Sequence, residues 1–397
     1  ENKKSNLGGN DMPSHLFTPI KLAGLTLKNR VIISPLCQFS AVDGNASPWH
    51  WAHIGQFAQS GAGLCIFEAT AVSAVGRITP GCLGLYSDEN EAALTKLLAD
   101  VRSFSDMPMG IQLDHAGRKA STRPTWDLHK GQFVSDEEGG WTPEGPSPQP
   151  FNPEWRTPIE LDAEGLKRVR DEFVEAARRA DRCGFDVIEI HAAHGYLLHE
   201  FCSPLTNHRN DEYGGDLLGR LRFPLEVASA IRAAFPAHKP VGVRITGEDW
   251  VEGGLTLDDA VVFAKELKKI GMDYVIPSAG NVAPGMKLPP VKPGYMVHFA
   301  EKVKREAEIT TMTVGMIFEP QHAEEIIASG KADMVAIGRA IMDNPRWPWH
   351  AATALGERIE TPKQYARSSP QHWPAYAQVH GVALREGEGA MTHPTRE

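Results

Sequence analysis

Eight short apolar runs, rich in β-branched residues, recur along the chain: Val31–Ser34, Leu64–Phe67, Met109–Leu113, Val187–Ile190, Val241–Ile245, Tyr274–Ile276, Thr311–Val314 and Met334–Ile337. Unbroken apolar runs of this length suit parallel strands covered on the outside by helices. Between them, helical spacing and good helix formers mark Glu91–Phe104, Ala163–Cys183, Leu217–Ala234, Leu257–Ile270, Val297–Glu306 and Pro320–Ser329. Ser87-Asp88, Asp162 and Thr256 stand where an N-cap accepts an orphan backbone N–H, and Gly184, Gly271 and Gly330 stand where a helix ends in a left-handed residue. Strand and helix therefore alternate eight times. This predicts an α/β fold, a (β/α)8 TIM barrel. A doubly wound sheet is the alternative, but its first strand should run into GxGxxG, and Val31–Ser40 holds no such motif.

The segments outside this alternation have roles of their own. Phe17–Asn29 reads as a small N-terminal hairpin that closes the barrel bottom. After the third strand comes a loop of about 40 residues, 118–160, rich in Pro, Gly and Trp; loops that long are usually lids or binding elements. One barrel domain is expected over residues 12–367. Residues 1–11 read as an appended tail, with Met12 the natural start, and 368–397 as a polar extension expected to be partly disordered.

Composition narrows the function. Lys and Arg number 41 against 50 Asp and Glu, a net charge of −9, which argues against a general nucleic-acid binder because phosphate affinity comes from clustered basic charge. No apolar run reaches the ~18 residues of a membrane span. Five scattered cysteines without CxxC fit neither a disulfide framework nor a zinc ribbon, so a reducing, cytoplasmic setting is expected.

In a barrel, the residues just past the strand ends build the site. Here they include Cys37-Gln38-Phe39, Glu68-Ala69-Thr70, Gln112, His115, His191, His194, Tyr196, Arg244, Ser278, Gly315-Met316 and Gly338-Arg339. The carboxylate pair of a glycosidase and the early His-x-His of a metal hydrolase are both missing from this set. Glycine-rich turns after strands seven and eight, with Arg339, suit a phosphate, although tight packing turns would read the same way. Arg244 beside Gln112 suits the electron-rich end of a flavin, or else a core-edge ion pair. His191 and His194 can grip one carbonyl or nitro oxygen as negative charge develops, and Tyr196 can supply a proton nearby. Rim histidines with satisfied hydrogen bonds, or a metal site with His199, are the other readings.

These residues fall into a series of motifs: Leu16-Phe17-x-Pro-Ile, Lys28-Asn29-Arg30, Ser34-Pro35-Leu36-Cys37, Glu68-Ala69-Thr70, Gly76-Arg77-Ile78-Thr79, Gln112 through Lys119, His191 through Leu197, Asn207-His208-Arg209 and Gly338-Arg339. From Leu16 to Arg367 the chain resembles the Old Yellow Enzyme flavoproteins, in particular the thermophilic-like branch with the xenobiotic reductases. The resemblance implies non-covalent FMN. Ser34, Pro35, Leu36 and Cys37 would line its ring, Ala69 and Gln112 would contact the pyrimidine edge, and Arg244 would sit by N1 and O2. Gly315, Gly338 and Arg339 would hold the phosphate. It further implies reduction by NADPH or NADH, then of an activated alkene at the same place. His191 and His194 would bind the substrate's oxygen, Tyr196 would protonate the α-carbon, and Cys37 would tune the flavin. A homodimer or dimer of dimers is implied, with Arg367 completing the neighbour's pocket.

The chain departs from the family pattern in three places. Phe39 stands where a tyrosine is usual, Asp114 where the residue is usually apolar, and Val291-Lys292 where an aromatic wall is expected. Outside flavin chemistry, the alternatives are a phosphate-binding isomerase or aldolase barrel and a non-enzymatic binding module.

Overall fold

The computed structural model describes residues 13–130 and 132–389. The expected tail 1–11, Met12 and the last eight residues of the extension lie outside the described residues. Each apolar run becomes a strand: β1 Val31–Ile33, β2 Leu64–Ala71, β3 Met109–Asp114, β4 Val187–Ala192, β5 Val241–Glu248, β6 Tyr274–Ala279, β7 Met312–Thr313 and β8 Met334–Ile337. They pair in parallel in the order β6-β5-β4-β3-β2-β1-β8-β7. A parallel bridge from Val275 to Thr311 closes the circle.

The longer helices are α1 Pro48–Ala58, α2 Asp88–Arg102, α3 Ala163–Cys183, α4 Leu217–Ala234, α5 Leu257–Ile270, α6 Val297–Ala307, α7 Pro320–Ala328 and α8 Trp347–Ala354. The expected caps are made: Ser87, Asp162 and Thr256 accept the N–H of Asn90, Gly165 and Asp259. The sequence pattern did not mark α1 or α8. Both are rich in Trp, His and Ala and carry no clear polar face, so they show no helical periodicity and gain their stability from packing.

Alternation along each strand sorts the core into two layers. Ile33, Ile111, Ile188, Ile190 and Val243 point outward to the helices. Ile32, Leu64, Ile66, Val187, Tyr274 and Met312 fill the lower barrel together with Leu22 and Leu27. Those two leucines come from the antiparallel hairpin Ile20–Leu22/Leu25–Leu27, which is tied to the barrel bottom by Gly24 N–H donating to His238 O at 2.8 Å. The lower interior of the barrel is therefore a packed plug.

The lid is not structureless. It holds short 3-10 turns and a parallel two-residue pairing of Glu144–Gly145 with Ile159–Glu160. The described part of the C-terminal extension, through Gly389, is placed against α8: Tyr376 is buried with its hydroxyl 3.2 Å from Thr353 Oγ1, and Arg358 makes a two-pronged ion pair with Glu388. Trp373 and Tyr376 supply the aromatic contacts that a count of polar residues overlooks.

Candidate active site

The turn after β1 carries Ser34 through Phe39. The buried Glu68 of β2 fixes it, accepting Gln38 N–H on one oxygen at 3.1 Å while His50 Nε2 of α1 lies 3.2 Å from the other. Phe39 takes a left-handed conformation (φ +48°) and meets Trp126 of the lid edge-on at 5.8 Å. Cys37, Phe39, Trp141 and Tyr196 pack around Ala69, Ile78, Cys82, Ala116 and Ala120, an apolar patch at the rim. Burial pushes the Cys37 thiol well above its usual value, so it stays neutral.

One layer down is a polar set. Gln112 Nε2 donates to Glu189 Oε1 at 2.8 Å, and Tyr274 OH donates to Glu189 Oε2 at 3.1 Å. Burial raises the Glu189 carboxyl, against the opposing pull of Arg244. Arg244 Nε is buried and has no hydrogen-bond partner among the described residues. An orphaned guanidinium donor at this depth is costly unless a ligand acceptor meets it. That is the chemistry a flavin's N1–C2=O edge would offer, and Gln112, held by Glu189, lies on the neighbouring side.

Past β7, Gly315 has φ +117°, a conformation that L side chains rarely adopt. Past β8, Gly338 leads into the short helix Arg339–Asp343, and a Cβ added to it would lie 3.5 Å from Leu36 and 3.9 Å from Ser34. Arg339 is exposed and makes no ion pair with the described residues. The expected phosphate residues thus end adjacent strands.

His191 points inward from β4, as does Glu189. Its Nδ1 accepts Ala193 N–H at 3.3 Å, so Nε2 carries the ring proton. His194 Nε2 lies 2.7 Å from Ser278 Oγ at the end of β6, leaving Nδ1 for the mouth. The rings of His194 and Tyr196 meet His191 edge-on, at 5.1 and 5.0 Å. Burial, helped by the Arg244 charge, holds both imidazoles well below the ordinary histidine value, and burial raises the Tyr196 phenol well above 10. At neutral pH the cluster therefore presents neutral N–H donors and an un-ionised phenol.

Residues to which sequence reading gave no supporting role brace this cluster. Lys119 Nζ donates to His194 O and to Asn281 O at 2.8 and 3.2 Å and lies over the Tyr196 ring. Burial lowers its ammonium to about 8. His199 accepts Gly195 N–H on Nδ1 at 2.8 Å, and its Nε2 meets Asp249 Oδ1 at 2.7 Å. Burial works to raise the Asp249 carboxyl; the His199 ring and the hydrogen bonds from His199, Ser203 and Leu255 outweigh it and hold the carboxyl below its usual value. Both His199 nitrogens are thus engaged, which closes the metal reading for that residue.

The fold brings Ser34 to Phe39, Ala69, Gln112, Arg244, His191, His194 and Tyr196 to one mouth. Arg367 lies elsewhere. It is exposed in the 3-10 turn Lys363–Ser368, whose Tyr365 packs on Trp349 and Arg346 of the α8 region.

A barrel with this mouth is what flavin-dependent oxidoreductases use, and residues 15–357 match the NADH:flavin oxidoreductase / NADH oxidase family. The chain belongs to that family, and FMN is its cofactor. It is 43% identical over 360 residues to an NADPH dehydrogenase of Listeria monocytogenes serotype 4a, covering 89% of this chain and 99% of the relative. A Geobacillus NADPH dehydrogenase is 42% identical over 358 residues, covering 90% and 99%. Among solved structures, morphinone reductase superposes with a TM-score of 0.72 at 28% identity, over 89% of this chain and 92% of that one. An Old Yellow Enzyme homologue from Zymomonas mobilis gives 0.68 at 26%, over 85% and 91%. The expected Old Yellow Enzyme kinship and barrel fold are borne out. Among the described residues, no helix is long and apolar enough to cross a membrane.

Proposed function

We propose that this chain is an ene-reductase, an FMN-dependent NAD(P)H:alkene oxidoreductase that reduces activated C=C bonds of α,β-unsaturated carbonyl or nitro compounds by a ping-pong mechanism. The observation that carries this reading is the neutral His191–His194 pair with Tyr196 beside it, His191 standing in register with Arg244, whose Nε lacks a partner among the described residues. When bound, FMN supplies the two-electron chemistry, accepting hydride from a reduced nicotinamide and passing it to the alkene.

The chain's own residues do the rest. His191 Nε2–H and the free edge of His194 donate to the substrate's carbonyl or nitro oxygen, stabilising charge as it grows there. Neutral imidazoles suit this task because they add no positive charge beside Arg244. Tyr196 gives its phenol proton to the α-carbon. Arg244 and Gln112 hold the cofactor's pyrimidine edge, Ser34 through Cys37 flank its ring, and Gly315, Gly338 and Arg339 receive its phosphate. The lid residues Trp126 and Trp141, with Phe39, line the apolar approach and exclude water. The relatives' names favour NADPH as the reductant. Since Arg367 is exposed and makes no ion pair with the described residues, we read it as the residue lent to a second copy's mouth, in a homodimer or dimer of dimers.

The test is NADPH consumption by the FMN-loaded protein with cyclohexenone or maleimide in oxygen-free buffer. Alkene-dependent consumption is expected, and none with either alkene overturns the reading.

A further inference from the structure

His194 and Gly195 are consecutive left-handed residues (φ +61° and +77°), an unusual backbone for the histidine. Such conformations persist only when their surroundings over-determine them. Three contacts do so here. Lys119 holds His194 O, Ser278 holds His194 Nε2, and His199 Nδ1 takes Gly195 N–H at 2.8 Å. A side chain at Gly195 is impossible, since its Cβ would lie 2.1 Å from Asn281 O.

The His199 contact differs from the other two because it is itself fixed from behind. The ring is fully buried in the short helix Leu197–Cys202. Its Nε2 meets Asp249 Oδ1 at 2.7 Å, and the second Asp249 oxygen accepts from Ser203 Oγ and Leu255 N–H, each at 2.7 Å. Asp249 can only accept, so Nε2 bears the proton and Nδ1 is left as an acceptor for Gly195. The carboxylate thereby sets the tautomer the turn requires.

We propose that His199 and Asp249 form a positioning dyad that acts through the backbone of Gly195 to set His194 against the substrate's oxygen. This rests on the reading that His194 grips that oxygen. A shift in the turn moves the His194 ring off its donor direction, whereas FMN, held by other strands, keeps its place.

The test uses holoenzyme variants and the affinity for a para-substituted phenol, read from perturbation of the bound flavin's spectrum, in a double-mutant cycle with His194→Ala. His199→Leu should weaken the phenol by roughly tenfold or more while FMN stays bound, because loss of an oxyanion donor can cost far more than that. His199→Gln, which can accept from Gly195 and donate to Asp249, should return the affinity to within about threefold of the parent. In the His194→Ala background, His199→Leu should change phenol affinity by less than about twofold, since coupled sites are not additive. Should the leucine variant fail to fold, Asp249→Asn replaces it in the cycle, with the same direction expected. An unchanged affinity in the single variant, or an equal loss with and without His194, overturns the proposal. If His194→Ala alone leaves phenol binding untouched, the gripping role itself falls, and the dyad with it.

Discussion

Gln112 and Glu189, facing each other across β3 and β4, are joined by a 2.8 Å hydrogen bond in which the amide nitrogen donates to the carboxylate. This contact decides which end of the amide is spent on the protein: the nitrogen is turned toward Glu189, and the carbonyl oxygen remains as an acceptor. Tyr274 holds the other carboxylate oxygen, so the orientation is fixed before any ligand arrives. Glu189→Leu should free the amide and remove the buried negative charge that offsets Arg244. A hydrogen bond to a charged group contributes about 1.5–3 kcal/mol, so FMN affinity should fall by about ten- to a hundredfold. Fluorescence of released flavin during dilution measures this.

Tyr196→Phe should slow alkene reduction by ~10²–10⁴-fold and leave flavin reduction by NADPH largely intact. Because burial raises the phenol well above 10 and lowers both histidines well below their usual value, the parent's oxidative half-reaction should show no histidine step near pH 6.5. It should also show no loss from phenol ionisation below about pH 10. Stopped-flow traces across that range decide the matter.

Asp114 is buried at the end of β3, and one of its oxygens has no partner. Burial raises its carboxyl well above the ordinary value, with the His115 backbone N–H and then the Lys119 charge only partly opposing. A folded pKa above the unfolded one means the native state binds the extra proton. The stability this group contributes is therefore whole below the unfolded value of about 3.9 and is lost as pH rises toward the folded one. Asp114→Asn removes that loss. Its melting temperature should exceed the parent's at pH 8 and match it closely near pH 4.

Phe39 packs on Trp126 and the rim patch, where the family pattern has a tyrosine. A hydroxyl added by Phe39→Tyr would supply one more donor beside the substrate's oxygen. Such a bond contributes ~0.5–1.5 kcal/mol net, so enone affinity should improve by at most about tenfold with a modest change in turnover. No change for any enone would mean that the ring does not reach the pocket.

Deleting the chain after Pro362 removes Arg367. Turnover and substrate affinity should both drop, with light scattering reporting the oligomer. A truncated monomer with full activity would show that no second copy contributes to the mouth.

The barrel, and which residues follow its strand ends, were legible in the local pattern. Eight apolar runs alternating with helices call for a parallel sheet covered by helices, the missing GxGxxG after the first run favours the closed barrel over the doubly wound sheet, and period-two alternation already put Glu189 and His191 on one face of β4. Caps such as Ser87, Asp162 and Thr256 were legible because capping is local, a side chain meeting a backbone N–H three residues on. Helices α1 and α8 were not, since without a polar face their burial against the barrel, rather than their periodicity, makes them helical. Tertiary structure alone decided which groups lack partners and which hold others in place. That Arg244 Nε is orphaned, that Ser278 and Lys119 brace His194, and that Asp249 sets the His199 tautomer all depend on contacts between strand ends far apart in sequence. Local pattern carries the period of a strand or helix; it carries no record of which side chains meet once the barrel closes.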